Sequence, residues 1–295
     1  MSPEAMAGST VPRRQLARQL RELRLRAGLN VKQAAEALEW SEAKMWRIET
    51  AQTSLRSLDV QGMCQVYGAT PELTEALVGL AKESKAKGWW HAYGDVIPEG
   101  FDLYIGLEEA ARRIDWYESE LVPGLLQTAE YARVVISADK PDVDPQEIHR
   151  LVQVRMARQA LLTRVTTPPS IQVILNEAVL RRPIGGPPVM ARQLRHLAEA
   201  ATLPNVGIRV VPFRVGLHHG VVSGPFEILR FPVNGDGKDS EPPTVYVGGF
   251  TGDLYLDKSH EVQQYSDAYA SISESSLDES ASIKLILQAA KELEE

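Results

Sequence analysis

Six residues in the run Ser41-Glu42-Ala43-Lys44-Met45-Trp46-Arg47 have side chains suited to reading or gripping a polyanion. An arginine such as Arg47 can fork onto the O6 and N7 of guanine, and a carboxylate such as Glu42 can accept from the amino group of cytosine. A lysine such as Lys44 can meet a phosphate, a contact that carries no sequence information. Glu42 has a second reading, which we prefer: it favours a helix N-terminus electrostatically while weakening affinity for phosphate.

The element that must position these groups is a short helix. Met45 and Ile48 stand at i,i+3 and point inward. Glu42, Ala43, Lys44, Trp46 and Arg47 then face solvent, as a recognition helix faces the major groove with its N-terminal residues leading. An ordinary helical hairpin with a wet, charged face would show the same spacing. A preceding helix carries Ala34, Ala35 and Leu38 as its own small apolar stripe. Asn30 suits the N-cap of the first helix and Ser41 that of the second. Leu38, Glu39 and Trp40 are left for the turn, the length a helix-turn-helix uses.

Residues 14–70 resemble the Cro/repressor (XRE-type) helix-turn-helix family. The matching pieces are RQLRELRLRAGLN, then SEAKMWRIE, then a closing helix ending in VYGA. The resemblance implies five helices, with base-edge contacts from the positions of Glu42, Ala43 and Arg47 and docking support from Val31. Members often carry Gln at the positions of Val31 and Glu42, so this chain's base readout does not transfer. The family usually has Gly where Glu39 stands, at a left-handed backbone position where a side chain adds strain. Arg24 and Glu49 match an ion pair of the family that ties its first helix to its third.

Other residue groups could support different chemistry. His218-His219-Gly220 sits in a glycine-flanked loop, but adjacent histidines rarely point at one metal, and no Cys, Asp or Glu stands at a ligand-like offset. No GxSxG elbow, HExxH or P-loop is present. Gly185-Gly186-Pro187-Pro188 precedes a helix, but its prolines lack the N–H donors that a phosphate cradle needs, so it reads as a helix lead-in. These features predict no catalytic residues, no metal, no cofactor and no enzyme.

The 295 residues are 44% hydrophobic, enough for a core. No apolar run approaches the ~20 residues of a membrane span. The single Cys64 excludes an internal disulfide and fits a reducing cytoplasmic setting, as a small buried residue. Residues 1–70 hold ten Lys and Arg against seven Asp and Glu, and the remainder holds 22 against 32. A basic end on an acidic body suits DNA contact through that end alone.

The expected organisation is multidomain: an all-α helix-turn-helix N-terminal domain followed by an α+β C-terminal domain. Residues 1–12 read as a mobile tail, 13–70 as the helix-turn-helix domain, 71–88 as a connecting helix and 89–295 as the second domain. The closing helix at 57–67 offers Leu58, Met63 and Val66 to the first core. Trp89, Trp90, Phe101 and Trp116 form an aromatic segment suited to core or interface. Beyond it, helices are expected at 107–118, 127–136, 145–164 and 187–201. Strands are expected at 171–175, 206–213, 225–231 and 244–247, with a fourth of this closing group at 253–256. Residues 234–238 read as a turn, and two helices, at about 259–272 and 279–293, finish the chain. This order argues against a repeated βαβ pattern.

The segments LYIGLEEAARRIDWYESELVPGLLQTAEYA, VLRRPIGGPPVMARQLRHLAEAATLPNVGIRVVPF, GPFEILRFP and VYVGGFTGDLYLDK resemble the C-terminal domain of WhiJ-like regulators of actinobacteria. That resemblance implies a domain that senses a small-molecule effector or holds a small partner protein encoded nearby. The leading expectation is a sequence-specific transcriptional regulator that binds double-stranded DNA as a homodimer. One alternative is an antitoxin-like protein that sequesters its partner and represses its own operon. Another is a helix-turn-helix fused to an unrecognised enzyme. Dimer contacts are expected beyond Pro71, first in the connecting helix and aromatic segment, then in the last helices with Ile283, Leu285 and Leu287.

Overall fold

The computed structural model describes residues 10–85, 88–97, 101–233 and 239–295. The expected turn at 234–238 and the first nine residues of the expected tail lie outside them. The chain forms two compact units. One comprises the chain to Ala92 together with Pro98–Ala110, and the other Tyr93–Ile97 together with Ala111–Glu295.

The first unit is entirely helical: α1 (Thr10–Arg26), α2 (Val31–Ala37), α3 (Glu42–Glu49), α4 (Ser57–Tyr67), α5 (Pro71–Glu83) and α6 (Phe101–Ala110). Leu16, Leu20 and Leu23 of α1 meet Ala34, Ala35, Met45, Ile48, Met63 and Cys64 in one buried cluster. Residues 10–12, expected in the tail, are helical instead. A proline is tolerated in the first turn of a helix, and Thr10 is buried. Gly106 of α6 lets the two helices touch, since a Cβ there would lie 2.0 Å from Thr10 Oγ1.

Helix α5, expected as a connector, is a wall of the same core through Leu77 and Ala81. Its start follows the local signals: Gly68 ends α4 at φ 70°, and Thr70 Oγ1 accepts from the Leu73 N–H with Pro71 at the first helical position. Leu58 does not serve the core; it is 74% exposed. Trp89 and Trp90 meet edge to face at 6.0 Å and Phe101 stacks on Tyr104 at 5.3 Å, all within this unit, whereas the sequence reading begins the second domain at Trp89.

The second unit is α+β. Its elements are β1 (Arg113–Glu118), α7 (Ala129–Asp139), α8 (Pro145–Arg158), β2 (Ser170–Asn176), α9 (Glu177–Arg181), α10 (Pro187–Ala200) and β3 (Val206–Val211). There follow α11 (His219–Ser223), β4 (Phe226–Arg230), β5 (Thr244–Val247), β6 (Leu254–Leu256), α12 (Ser259–Ser275) and α13 (Glu279–Glu292). The sheet order is β3-β2-β1-β4-β5-β6. Strands β1, β2 and β3 run parallel, and β4, β5 and β6 continue the sheet antiparallel.

Residues 113–118, expected within a helix, form the strand β1, with four consecutive buried residues from Ile114 to Tyr117. A strand covered on both faces loses the alternation that would announce it. Asp115 is tolerated inside because Arg113 and Arg230 hold its two oxygens at 2.8 and 3.2 Å. Missing this strand also hid two β–α–β crossovers at the front of the domain. The other expected helices and strands of this unit fall close to their positions, whereas the short helices α9 and α11 have no expected counterpart. The long helix beginning at Pro145 tightens into a 3₁₀ turn over Gln159–Thr163.

On one sheet face, Tyr117, Ile174, Phe226, Ile228 and Val245 pack under Val262 and Ile272 of α12. The edge strand β3 is closed by the link between α12 and α13. The Val210 N–H donates to Ser282 Oγ, its carbonyl accepts from Leu277 N–H, and Arg209 donates to the Leu277 carbonyl.

The irregular stretch between β1 and α7 is buried, so its backbone groups need side-chain partners. Gln193, fully buried on α10, supplies two: it donates to the Leu126 carbonyl and accepts from the Thr128 N–H, each at 2.7 Å. Gln193→Leu leaves both groups unpaired, at about 1–3 kcal/mol each. A denaturant midpoint equal to that of the parent protein would show that water replaces the amide without loss.

No described helix is long and apolar enough to cross a membrane.

Candidate nucleic-acid interface

The hairpin of α2 and α3 is set by its caps. Asn30 Oδ1 accepts from the Gln33 N–H while Gln33 Oε1 accepts from the Asn30 N–H, each at 2.9 Å, a reciprocal box that fixes where α2 begins. The turn closes with Trp40 N–H donating to the Ala35 carbonyl at 2.9 Å. Glu39 adopts φ 55°, the left-handed conformation that favours glycine. Ser41 Oγ then accepts from the Lys44 N–H and starts α3.

Strain at Glu39 gives a stability prediction. A left-handed residue with a Cβ costs roughly 1–2 kcal/mol, offset in part by the larger backbone entropy of an unfolded glycine. Glu39→Gly is therefore expected to stabilise the protein by about 0.5–1 kcal/mol. A thermal melt with a midpoint unchanged or lowered would contradict it.

From beneath, α3 is held by Arg24. Its Nε and one terminal nitrogen reach the two oxygens of Glu49 at 2.6 and 2.8 Å, and its other nitrogen donates to the Leu29 carbonyl at 2.7 Å. The side chains of Arg24 and Glu49 are 6% and 8% exposed. Hydrogen bonding to Glu49 raises the Arg24 guanidinium further above its already high value, against the cost of burial. One buried fork thus joins α1, the loop after it and α3.

Met45 and Ile48 are buried, which sets the rotation of α3. Ser41, Glu42, Ala43, Trp46 and Arg47 are exposed together, with Trp46 at 56%. Val31 is half-buried and packs on the core at the start of α2. Lys44 differs from the others. Its ammonium lies 3.4 Å from the Trp40 ring centroid and 3.9 Å from Asp59 Oδ1. Asp59 is itself paired with Arg56, which with Lys44 holds its carboxyl below the usual range against the opposing effect of burial.

Beside α3 lies a cavity of about 350 Å³ lined by Lys44, Arg47, Gln52, Thr53, Ser54 and Asp59, with Ile48 and Leu55 at its base. Sequence reasoning missed Trp40, Asp59 and residues 52–54. Trp40 was assigned only to the turn, and the other four lie beyond α3, so no helical spacing links them to Lys44.

In the second unit, His218 and His219 diverge. His218 faces Asn176 at 3.3 Å, and His219 meets Ser271 Oγ at 2.9 Å. Among the described residues no group of three His, Cys, Asp or Glu is placed to hold a metal ion. Gly185 and Gly186 both have positive φ and lead into α10 with Pro187 at its first position.

The short, capped α2–turn–α3 unit packed on α1 and α4 defines a helix-turn-helix protein, and the sequence model described as "Helix-turn-helix domain" matches residues 15–77. The model described as "Domain of unknown function (DUF5753)" matches residues 101–288, more than half of the chain, and the protein belongs to that family. No curated protein and no solved structure matches it.

Proposed function

We propose that this protein is a sequence-specific DNA-binding transcriptional regulator, with α3 as the recognition helix. The observation that carries the reading is the outward face of α3. Ser41, Glu42, Ala43, Trp46 and Arg47 are exposed together on a helix whose rotation is fixed by buried Met45 and Ile48. In this reading Ser41, Glu42 and Ala43 approach the groove first and Arg47 forks onto a guanine. Val31 supports the docking, and Lys44 adds a phosphate contact moderated by Asp59. Selection of duplexes from a random pool by the full-length chain tests it. An enriched motif protected in a footprint is expected; uniform retention of all sequences would end the proposal.

The resemblance of about residues 89–295 to WhiJ-like regulators supports assigning partner or effector binding to the C-terminal domain. We further propose a homodimer, because one small helix-turn-helix reads few base pairs and such proteins place two on half-sites about 34 Å apart. Of the three residues expected in the last helix, Leu287 is exposed, at 42%, while the neighbouring Ile286 is buried. Light scattering on the full chain is expected to give twice the 32.6 kDa of the monomer. A monomer at micromolar concentration would remove this part.

A further inference from the structure

The carboxyl ends of β1 and β2 carry polar side chains that the DNA-binding reading leaves without a role. Strand β1 pairs parallel with β2 and antiparallel with β4, so the chain leaves β1 on one side and returns on the other.

Three groups meet there. Tyr117 is fully buried, and its Oη has no hydrogen-bond partner among the described residues. Asn176 ends β2. Its Oδ1 accepts from the Ala178 N–H at 2.9 Å, which turns its Nδ2 toward His218 Nε2 at 3.3 Å. His218 is 8% exposed, and its Nδ1 accepts from the Gly220 N–H at 3.1 Å.

These bonds fix the protons. A neutral imidazole that accepts at Nδ1 must carry its hydrogen on Nε2. Burial, then the neighbouring His219, lower the His218 pKa and keep the ring neutral. The Nε2–H therefore faces the Asn176 NH₂, donor against donor. Burial raises the Tyr117 phenol, and hydrogen bonding from the Asn176 side chain opposes that rise, although the phenol oxygen has no partner at full hydrogen-bond geometry. Three donors converge where the Tyr117 oxygen is the one acceptor among them, and a buried donor left unmatched costs free energy that an incoming acceptor recovers.

Above them lies α11. Gly220 rests on the Tyr117 ring so closely that a Cβ would come within 2.2 Å of Cζ and 2.4 Å of Oη. The segment is bounded by Gly216 and Gly224, both at positive φ. Its outer side chains Leu217, Val221 and Val222 are 79%, 59% and 79% exposed, and His219 latches it to Ser271 of α12. A cover with glycine at both ends and little packing outside can lift without breaking the sheet.

We propose that the carboxyl ends of β1 and β2, beneath α11, form a binding site for an uncharged small molecule that presents a carbonyl oxygen to Tyr117, Asn176 and His218. The ligand is uncharged because none of the three donors is a cation, and the acidic groups acting on Tyr117 are Glu118, pushed up to about 7 by burial, and Glu120. An anion would be buried there against like charge. This gives the effector reading of the C-terminal domain a location and a ligand chemistry. It rests on that reading alone, and it is tested without DNA, so its failure leaves the DNA-binding proposal standing.

The test uses the full-length protein with ¹⁵N-labelled histidine and, as probe, 2-pyrrolidinone, a small lactam, with acetate as the charged comparison. The lactam is expected to shift the His218 Nε2 resonance saturably, with a dissociation constant on the order of 10 mM for a ligand of this size. Tyr117→Phe should weaken it at least fivefold. Gly220→Ala places a methyl against the Tyr117 ring and displaces α11 together with His218, its N-cap, and is expected to abolish binding in a folded protein. It serves as the second arm should Tyr117→Phe fail to fold. Tighter binding of acetate than of lactam would overturn the uncharged class. No saturable shift at 100 mM lactam, or binding by Gly220→Ala equal to that of the parent protein, would overturn the site.

Discussion

Glu49→Ala is expected to lower the stability of the helix-turn-helix unit by about 3–5 kcal/mol, because removing one partner of a buried ion pair leaves the other charge uncompensated. The pair has little water to fall back on, with side chains 6% and 8% exposed. At roughly 4 °C or more per kcal/mol for a unit of this size, the melting midpoint should drop by about 12 °C or more. Fluorescence from Trp40 and Trp46 would report on it. The double replacement Arg24→Leu with Glu49→Leu should recover much of the loss, since apolar residues can substitute for a buried pair. Recovery should stay incomplete, because Arg24 also donates to the Leu29 carbonyl at 2.7 Å, and that acceptor is then left without it. A single mutant melting within 2 °C of the parent protein would mean the fork contributes little to the fold.

Arg47→Ala acts on recognition instead of stability. Arg47 is exposed on α3, so its loss should leave the melting midpoint nearly unchanged. Losing a bidentate contact to guanine should weaken binding to the selected duplex by about 1–3 kcal/mol, and discrimination should relax at one base-pair position. Lys44→Ala should weaken all duplexes alike. Its effect should be smaller than for a fully exposed lysine, because Asp59 already shares that charge in the free protein. Gel-shift titrations of both variants against selected and random duplexes separate the two roles. If Arg47→Ala preserves the preference among duplexes, α3 is docked wrongly.

Much of the first unit was legible in the sequence because its determinants are local. Asn30, Ser41, Gly68 and Thr70 act within four residues of themselves, and the i,i+3 spacing of Met45 and Ile48 sets the rotation of α3 without reference to distant parts. The fork between Arg24 and Glu49 spans 25 positions and came only from the family resemblance. In the second unit the late strands and both closing helices were legible from alternation and periodicity.

What only the tertiary structure decided depends on partners far away in sequence. Residues 113–118 became a strand because β2 and β4 pair with both its edges and α12 covers one face, and Asp115 needs Arg230, 115 positions away, to be tolerated there. Helix α5 joined the first core because Leu77 and Ala81 find α1, a contact that no local signal announces. The donors of Tyr117, Asn176 and His218 come from three separate stretches, and only strand order and the fold of α11 bring them together. Caps and helical spacing are written in short windows of sequence, whereas the burial of a charge or the convergence of polar groups is a property of the packed chain.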